Sequence, residues 1–68
     1  MKDSIILNGE AQPVELPCTL ATLLARLGMS GRPVVIEQNG NAVAPDRFPE
    51  TAVCAGDRLE IISIVAGG

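Results

Sequence analysis

The last five residues, Ile64-Val65-Ala66-Gly67-Gly68, are the segment whose residue types indicate chemistry. Glycine has no Cβ, so a diglycine lets the backbone approach a nucleotide closely inside another enzyme's active site. The carboxylate of Gly68 is a poor acylating group until one of its oxygens becomes part of a good leaving group. Ordering a free tail costs roughly 1–2 kcal/mol per residue in backbone entropy, and a short diglycine keeps that cost small. These properties predict that the tail, rather than a pocket, carries the function.

The composition argues against other kinds of site. Histidine, the commonest general base and metal ligand, is absent, so we expect no catalytic residue, no metal and no bound cofactor. The net charge is −3 and Phe48 is the only aromatic residue. Nucleic-acid binding normally requires basic side chains for phosphates and aromatic ones for stacking. An acidic chain of 68 residues is expected instead to meet a protein partner with a complementary basic surface.

The short apolar runs predict a cytoplasmic protein that does not enter a membrane. No apolar run approaches the ~20 residues of a membrane span. The triplet at residues 5–7 is also shorter than the ~7–15 apolar residues of a signal peptide. In a reducing compartment Cys18 and Cys54 are expected to stay unpaired. A redox or persulfide pair is the alternative, but without CxxC spacing small hydrophobic roles are favoured.

The elements that must position the tail begin with a hairpin. Residues 4–7 and 11–16 are predicted to form antiparallel strands around Asn8-Gly9, because this dipeptide adopts the positive φ angles of a tight turn. Pro13 cannot donate to a neighbouring strand, which places the second strand at an edge of the sheet.

An amphipathic helix is predicted next, over residues 20–27. Leucines spaced at i, i+3, i+4 and i+7 form one apolar stripe, and all four are expected in the core: Leu20, Leu23, Leu24 and Leu27. Thr19 is the expected N-cap, and Gly28 fits the left-handed position that ends many helices. Two turns of helix are not stable alone, so this helix needs a sheet to pack on.

The second half of the chain is predicted to supply the remaining strands. Residues 34–37, 41–44 and 58–65 read as strands, and residues 45–49 as a turn or a single helical turn. Asp57 and Arg58 are expected to be a turn acid beside a solvated base, with contact to a partner as the alternative. The element order favours an α+β, β-grasp (ubiquitin-like) fold, a mixed sheet of four or five strands with one main helix. Residues 1–65 would form this domain and 66–68 a flexible functional tail.

The last strand should present two different faces. Its period of two places Leu59, Ile61 and Val65 on one side, and Ile62 and Ile64 on the other. If the first set faces the helix, the two isoleucines are exposed just before the tail. Exposed apolar patches usually mark partner surfaces, so we expect Ile62 and Ile64 to dock a partner, unless a loop covers them.

The whole chain resembles the sulfur carrier proteins of thiamine biosynthesis. The features that carry the resemblance are the strand order, the Asn39-Gly40 turn followed by Val43 and Pro45, the Gly56-Asp57 turn and the closing Val65-Ala66-Gly67-Gly68.

The resemblance implies a co-substrate of partner enzymes rather than an enzyme. A ubiquitin-activating-type enzyme would use ATP to adenylate Gly68, with residues 65–68 entering the partner's active site. A sulfur-donating persulfide protein would then displace AMP and leave a thiocarboxylate on Gly68. Thiazole synthase would accept that sulfur.

Other functions remain open at the level of sequence. A carrier that serves molybdopterin synthase would have the same fold and the same tail. A protein modifier joined to lysines through Gly68 is a second alternative. A third is a plain interaction domain whose diglycine is inert. The mass of the chain purified from a producing cell separates these alternatives.

Overall fold

The computed structural model describes residues 3–64, in which five strands form the main sheet and α1 covers one face. The bounds of the elements are β1 Asp3–Leu7, β2 Glu10–Val14, β3 Cys18–Thr19, α1 Leu20–Arg26, β4 Val34–Gln38, β5 Asn41–Val43, a 3₁₀ helix Pro45–Glu50, β6 Ala52–Val53 and β7 Arg58–Ser63. The order in the main sheet is β2-β1-β7-β4-β5. Only β1 and β7 run parallel among these described strands, so the sheet is mixed. The predicted β-grasp fold is confirmed.

Asn-Gly dipeptides close both hairpins of the main sheet. Asn8 and Gly9 have φ angles of 50° and 86°, and Asn39 and Gly40 have 53° and 86°. Two successive positive φ angles match the twist of the flanking strands, which is why this dipeptide reverses the chain so tightly. The predicted hairpin and the edge position of β2, which contains Pro13, are both confirmed.

The helix begins where its cap predicts. The Thr19 hydroxyl accepts a hydrogen bond from the Thr22 N–H at 3.2 Å, and Gly28 has a φ of 74°. Three of the four stripe leucines are buried against the sheet: Leu20, Leu23 and Leu24. The prediction for Leu27 was wrong, because this residue is the C-cap after Arg26 and its side chain is 42% exposed. A seven-residue helix ends before the stripe reaches its fourth leucine.

A second, two-stranded sheet stabilises the N-terminal end of α1. β3 and β6 pair antiparallel, with Cys18 opposite Val53, and both of these side chains are buried. The Leu20 N–H also donates to the Thr51 carbonyl at 2.9 Å. The sequence analysis did not predict this sheet, because strands of two residues show no periodicity.

Candidate functional site

The strand that leads to the tail, β7, lies in the middle of the main sheet between β1 and β4. Leu59 and Ile61 are buried in the core, whereas Ile62 and Ile64 are 55% and 52% exposed. This alternation confirms the two predicted faces for the described residues. No loop covers the isoleucines within residues 3–64, so their side chains are accessible at the end of β7.

A third apolar side chain extends this exposed surface. Val35 lies directly opposite Ile62 on β4 and is 39% exposed. The Ile64 N–H donates to the Pro33 carbonyl at 3.0 Å, which keeps the chain extended alongside β4 beyond the end of β7. We call Val35, Ile62 and Ile64 the outer patch. Val35 was missed because it sits within an unbroken apolar triplet, and only the register with β7 shows which way it faces.

Asn8 holds β7 just before the outer patch. The backbone pairing of β1 with β7 reaches Leu59, which accepts from the Asn8 N–H at 2.9 Å. Beyond Leu59, the Asn8 side chain makes the hydrogen bonds to β7 that the backbone of a longer β1 would make. Its Oδ1 accepts from the Ile61 N–H at 2.8 Å and its Nδ2 donates to the Ile61 carbonyl at 3.3 Å. The same residue therefore makes the hairpin turn and fixes the strand that carries the tail.

The opposite end of β7 is fixed by a buried carboxylate. Asp57 is only 8% exposed and accepts from Asn39 Nδ2 at 3.0 Å, Gln38 Nε2 at 2.9 Å and the Cys54 N–H at 2.8 Å. Asn39 Oδ1 in turn accepts from the Arg58 N–H at 2.9 Å. The predicted turn and the exposed Arg58 are confirmed. The burial of Asp57 was missed, because its side-chain donors lie 18 and 19 residues away along the chain.

The ionisation of Asp57 follows from these contacts. Burial by itself raises the pKa of the carboxyl group, because it penalises the charged form. The hydrogen bonds from Asn39, the Cys54 N–H and Gln38 favour the carboxylate and together outweigh burial, so the pKa lies below its usual 3.8. Asp57 is therefore a charged, fully bonded anchor rather than a proton donor at neutral pH.

The predicted reactive residues, Val65, Ala66, Gly67 and Gly68, lie outside the described residues. Their roles, and the boundary between a domain of residues 1–65 and a tail of 66–68, therefore stay predictions. Covalent geometry still sets a limit, because four residues span at most about 14 Å when fully extended. Whatever enzyme holds Gly68 must therefore lie close to Ile64 and to the outer patch.

The cysteines, possible metal ligands and helices within residues 3–64 bear on other functions. Cys18 is buried and Cys54 is exposed, and neither forms a disulfide, which confirms that they are unpaired. The described residues contain no group of three or more His, Cys, Asp or Glu side chains that could hold a metal ion. None of the described helices is long and apolar enough to cross a membrane.

A shallow groove lies between β2 and α1, at the far end of the sheet from the outer patch. It is lined by Pro13, Val14, Glu15, Leu23, Arg26 and the exposed Leu27. Val14 pairs with Asp3 at the beginning of β1, whereas the outer patch lies beyond the end of β1. The groove and the outer patch therefore lie at opposite ends of the strands.

Known proteins resemble this chain in both sequence and structure. The sulfur carrier protein ThiS of Bacillus subtilis is 32% identical over 50 residues, covering 74% of this chain and 76% of that protein. A thiazole synthase of Paramagnetospirillum magneticum is 34% identical over 64 residues, but this chain spans only 20% of its length. The crystal structure of the thiamine biosynthesis protein ThiS from Geobacter metallireducens superposes with a TM-score of 0.82 at 26% identity. That match covers 96% of this chain and 99% of the other.

The family match extends over almost the whole sequence. Residues 5–68 match the ThiS family, so the matched region includes the terminal diglycine as well as the folded domain. Together with the Bacillus and Geobacter proteins, this match confirms the predicted resemblance to the sulfur carriers of thiamine biosynthesis. The chain belongs to the ThiS family.

Proposed function

We propose that this chain carries sulfur for thiazole formation in thiamine biosynthesis, as a thiocarboxylate on Gly68. The observation that supports this most strongly is the ThiS-family match, which runs from residue 5 through Gly68. The domain would be a co-substrate of partner enzymes, not an enzyme itself. Its fold places β7 between β1 and β4 and exposes the outer patch, whose last residue, Ile64, directly precedes the tail in sequence.

The proposed cycle begins at the carboxylate of Gly68. In the activating enzyme an oxygen of this carboxylate attacks the α-phosphorus of ATP and releases pyrophosphate, which gives an acyl adenylate. The terminal sulfur of a protein persulfide then attacks the acyl carbon and expels AMP. A thiol cleaves the resulting S–S bond, which leaves the thiocarboxylate on Gly68 and a disulfide on the donor side. Gly67 and Gly68 suit these steps because no side chain obstructs the approach of either nucleophile.

The outer patch would position the tail in both partners. Val35, Ile62 and Ile64 are exposed, and the reacting carbon of Gly68 can be at most about 14 Å from Ile64. Burying apolar surface contributes roughly 25 cal/mol per Å², so docking here would offset the entropy of ordering the tail. Ile62 and Ile64 are the docking residues that the sequence predicts, and the register adds Val35.

Thiazole synthase is the proposed acceptor. Support comes from the Paramagnetospirillum magneticum protein, which bears that name and contains a segment similar to 94% of this chain. A segment similar to a sulfur carrier within a protein named thiazole synthase supports a functional link between the carrier and that synthase. This chain spans a fifth of that protein.

The proposal is tested by the mass of the chain isolated from a producing cell under sulfur limitation and repletion. A thiocarboxylated chain is heavier than the unmodified one by the mass of sulfur minus oxygen, and peptide mapping should place the change on Gly68. The loaded chain is then mixed with thiazole synthase and, separately, with molybdopterin synthase. Transfer to the first and not to the second is expected. A chain found only unmodified, or joined to lysines of other proteins, would refute the proposal.

A further inference from the structure

Two carboxylates lie directly opposite each other beside the outer patch. Glu37 on β4 pairs with Glu60 on β7, two positions along the ladder from the pair of Val35 and Ile62. Successive residues alternate between the faces of a sheet, so both glutamates share the outer face with Val35 and Ile62. Directly opposed residues have Cβ atoms about 4.5–5.5 Å apart, and like charges at that spacing repel.

No salt bridge within residues 3–64 neutralises this pair. The salt bridge found there joins Arg47 to Glu50 in the 3₁₀ helix, at 3.1 Å. Arg58 lies two residues before Glu60 on the same strand, yet neither glutamate carboxylate is within salt-bridge distance of its guanidinium in the described part of the chain. No side-chain hydrogen bond reaches either carboxylate from the described residues. The free domain therefore keeps two unpaired like charges side by side.

We propose that Glu37 and Glu60 together receive one arginine of the activating enzyme, while the outer patch packs against apolar side chains around it. This inference rests on the proposed function and names the chemistry of the partner surface. The guanidinium is planar and has five donors, so it can bond to two neighbouring carboxylates at once. Binding removes the repulsion present in the free domain and shields the ion pair beside an apolar contact.

Arginine fits this position better than lysine. A lysine ammonium is a compact and strongly hydrated charge, whereas a guanidinium is weakly hydrated and stacks on apolar surface. The outer patch supplies that surface next to the glutamates. The net charge of −3 on the chain also favours association with a basic partner.

The test compares glutamine variants in binding to the immobilised activating enzyme that loads the wild-type chain. Glu37→Gln and Glu60→Gln should each weaken binding about tenfold at low salt, and the difference should shrink in ~1 M salt. The double variant should lose much less than the product of the two single losses, because both glutamates bond to one group. Glu10→Gln combined with Glu15→Gln, an equal change of charge at exposed sites away from the patch, should bind as the wild type does.

Stability of the free domain gives an independent measurement. Removing one of two repelling charges should raise the urea midpoint of Glu60→Gln slightly above that of the wild type. Binding should therefore fall while stability rises. Two outcomes would overturn the inference: a lower midpoint, or unchanged binding of Glu37→Gln and Glu60→Gln while Ile62→Asp still weakens it. The second outcome would leave the proposed function standing, which is tested separately by the mass of the loaded wild-type chain.

Discussion

The two ends of β7 are constructed from opposite kinds of residue. At its beginning, the buried Asp57 carboxylate collects three hydrogen bonds and joins the strand to the Asn39 turn. At its end, Ile62 and Ile64 are exposed and Asn8 makes the last side-chain clamp, on Ile61. The buried, hydrogen-bonded carboxylate of Asp57 fixes the position of the strand. The exposed apolar side chains of Ile62 and Ile64 are available to contact a partner protein. β7 thus begins at a structural carboxylate and ends at an exposed apolar surface.

This difference between the two ends of β7 indicates that one end has a structural role and the other a role in recognition. Hydrogen bonds at Asp57 and at Asn8 fix β7 and so determine where Ile64 lies. The four residues after Ile64 can span at most about 14 Å, so an active site that received Gly68 would lie within that distance of Ile64. Substitutions at the first end should alter stability, and substitutions at the second should alter recognition.

The largest contrast should come from neighbouring isoleucines on β7. Ile61→Asp puts an unpaired carboxylate into the core and should unfold the domain, because that cost exceeds about 4 kcal/mol. Ile62→Asp, on the exposed face, should cost less than about 1 kcal/mol of stability and weaken binding to the activating enzyme at least tenfold. Ile64→Asp should behave as Ile62→Asp does. Circular dichroism and affinity measurements check both effects, and unfolding by Ile62→Asp would contradict the docking role.

The next largest effect should be at the Asp57 anchor. Asp57→Ala leaves the Asn39 and Gln38 amides and the Cys54 N–H without their acceptor, which should lower the free energy of unfolding by about 3 kcal/mol. The matched control is Asp46→Ala, on the exposed surface, which should change it by less than ~0.5 kcal/mol. Urea unfolding measures both. Equal effects of the two substitutions would remove the distinction between the ends of β7.

A smaller loss is expected at the Asn8 clamp. Asn8→Gly keeps a residue suited to the positive φ of 50° but removes both side-chain bonds to Ile61. The free energy of unfolding should fall by about 1–2 kcal/mol. Amide hydrogen exchange should also accelerate at Ile61, whose N–H loses its acceptor. Asn41→Gly serves as the control, since its side chain makes only a 3.5 Å bond to the Asn39 carbonyl. Unchanged protection at Ile61 would contradict the clamp.

The smallest effect concerns pH. The pKa of Asp57 is lower in the folded domain than its ordinary 3.8, so the folded state favours the charged form. Its contribution to stability is therefore complete above pH 3.8 and is lost as the pH falls from there through the folded pKa. Between those values the wild type should lose stability more steeply than Asp57→Asn, which cannot titrate. Parallel pH profiles of the two proteins would show that Asp57 is not favoured as the carboxylate.

The features that could be predicted from sequence are those with a local cause. Asn8-Gly9 predicts its turn because the required φ angles belong to those two residues. Thr19 predicts the start of the helix because its hydroxyl reaches only three residues ahead. The exposure of Ile62 and Ile64 follows from the period of a strand.

The features that were missed depend on contacts distant in sequence. The second role of Asn8 requires Ile61, 53 residues away, and the burial of Asp57 requires Gln38 and Asn39. The exposure of Val35 and the pairing of Glu37 with Glu60 follow from the register between β4 and β7. That register is set by the whole sheet, so no short window of sequence contains it.

The most direct test of the central claim is reconstitution with a matching activating enzyme, ATP and a sulfur source, followed by intact-mass measurement. The wild-type chain should gain the mass of sulfur minus oxygen at Gly68. Removing Gly68 should abolish this gain while the urea midpoint stays the same. Gly67→Val should also fold normally but load poorly, because a branched side chain would collide in a channel shaped for bare backbone. A gain on an internal residue, or full loading without Gly68, would contradict the account.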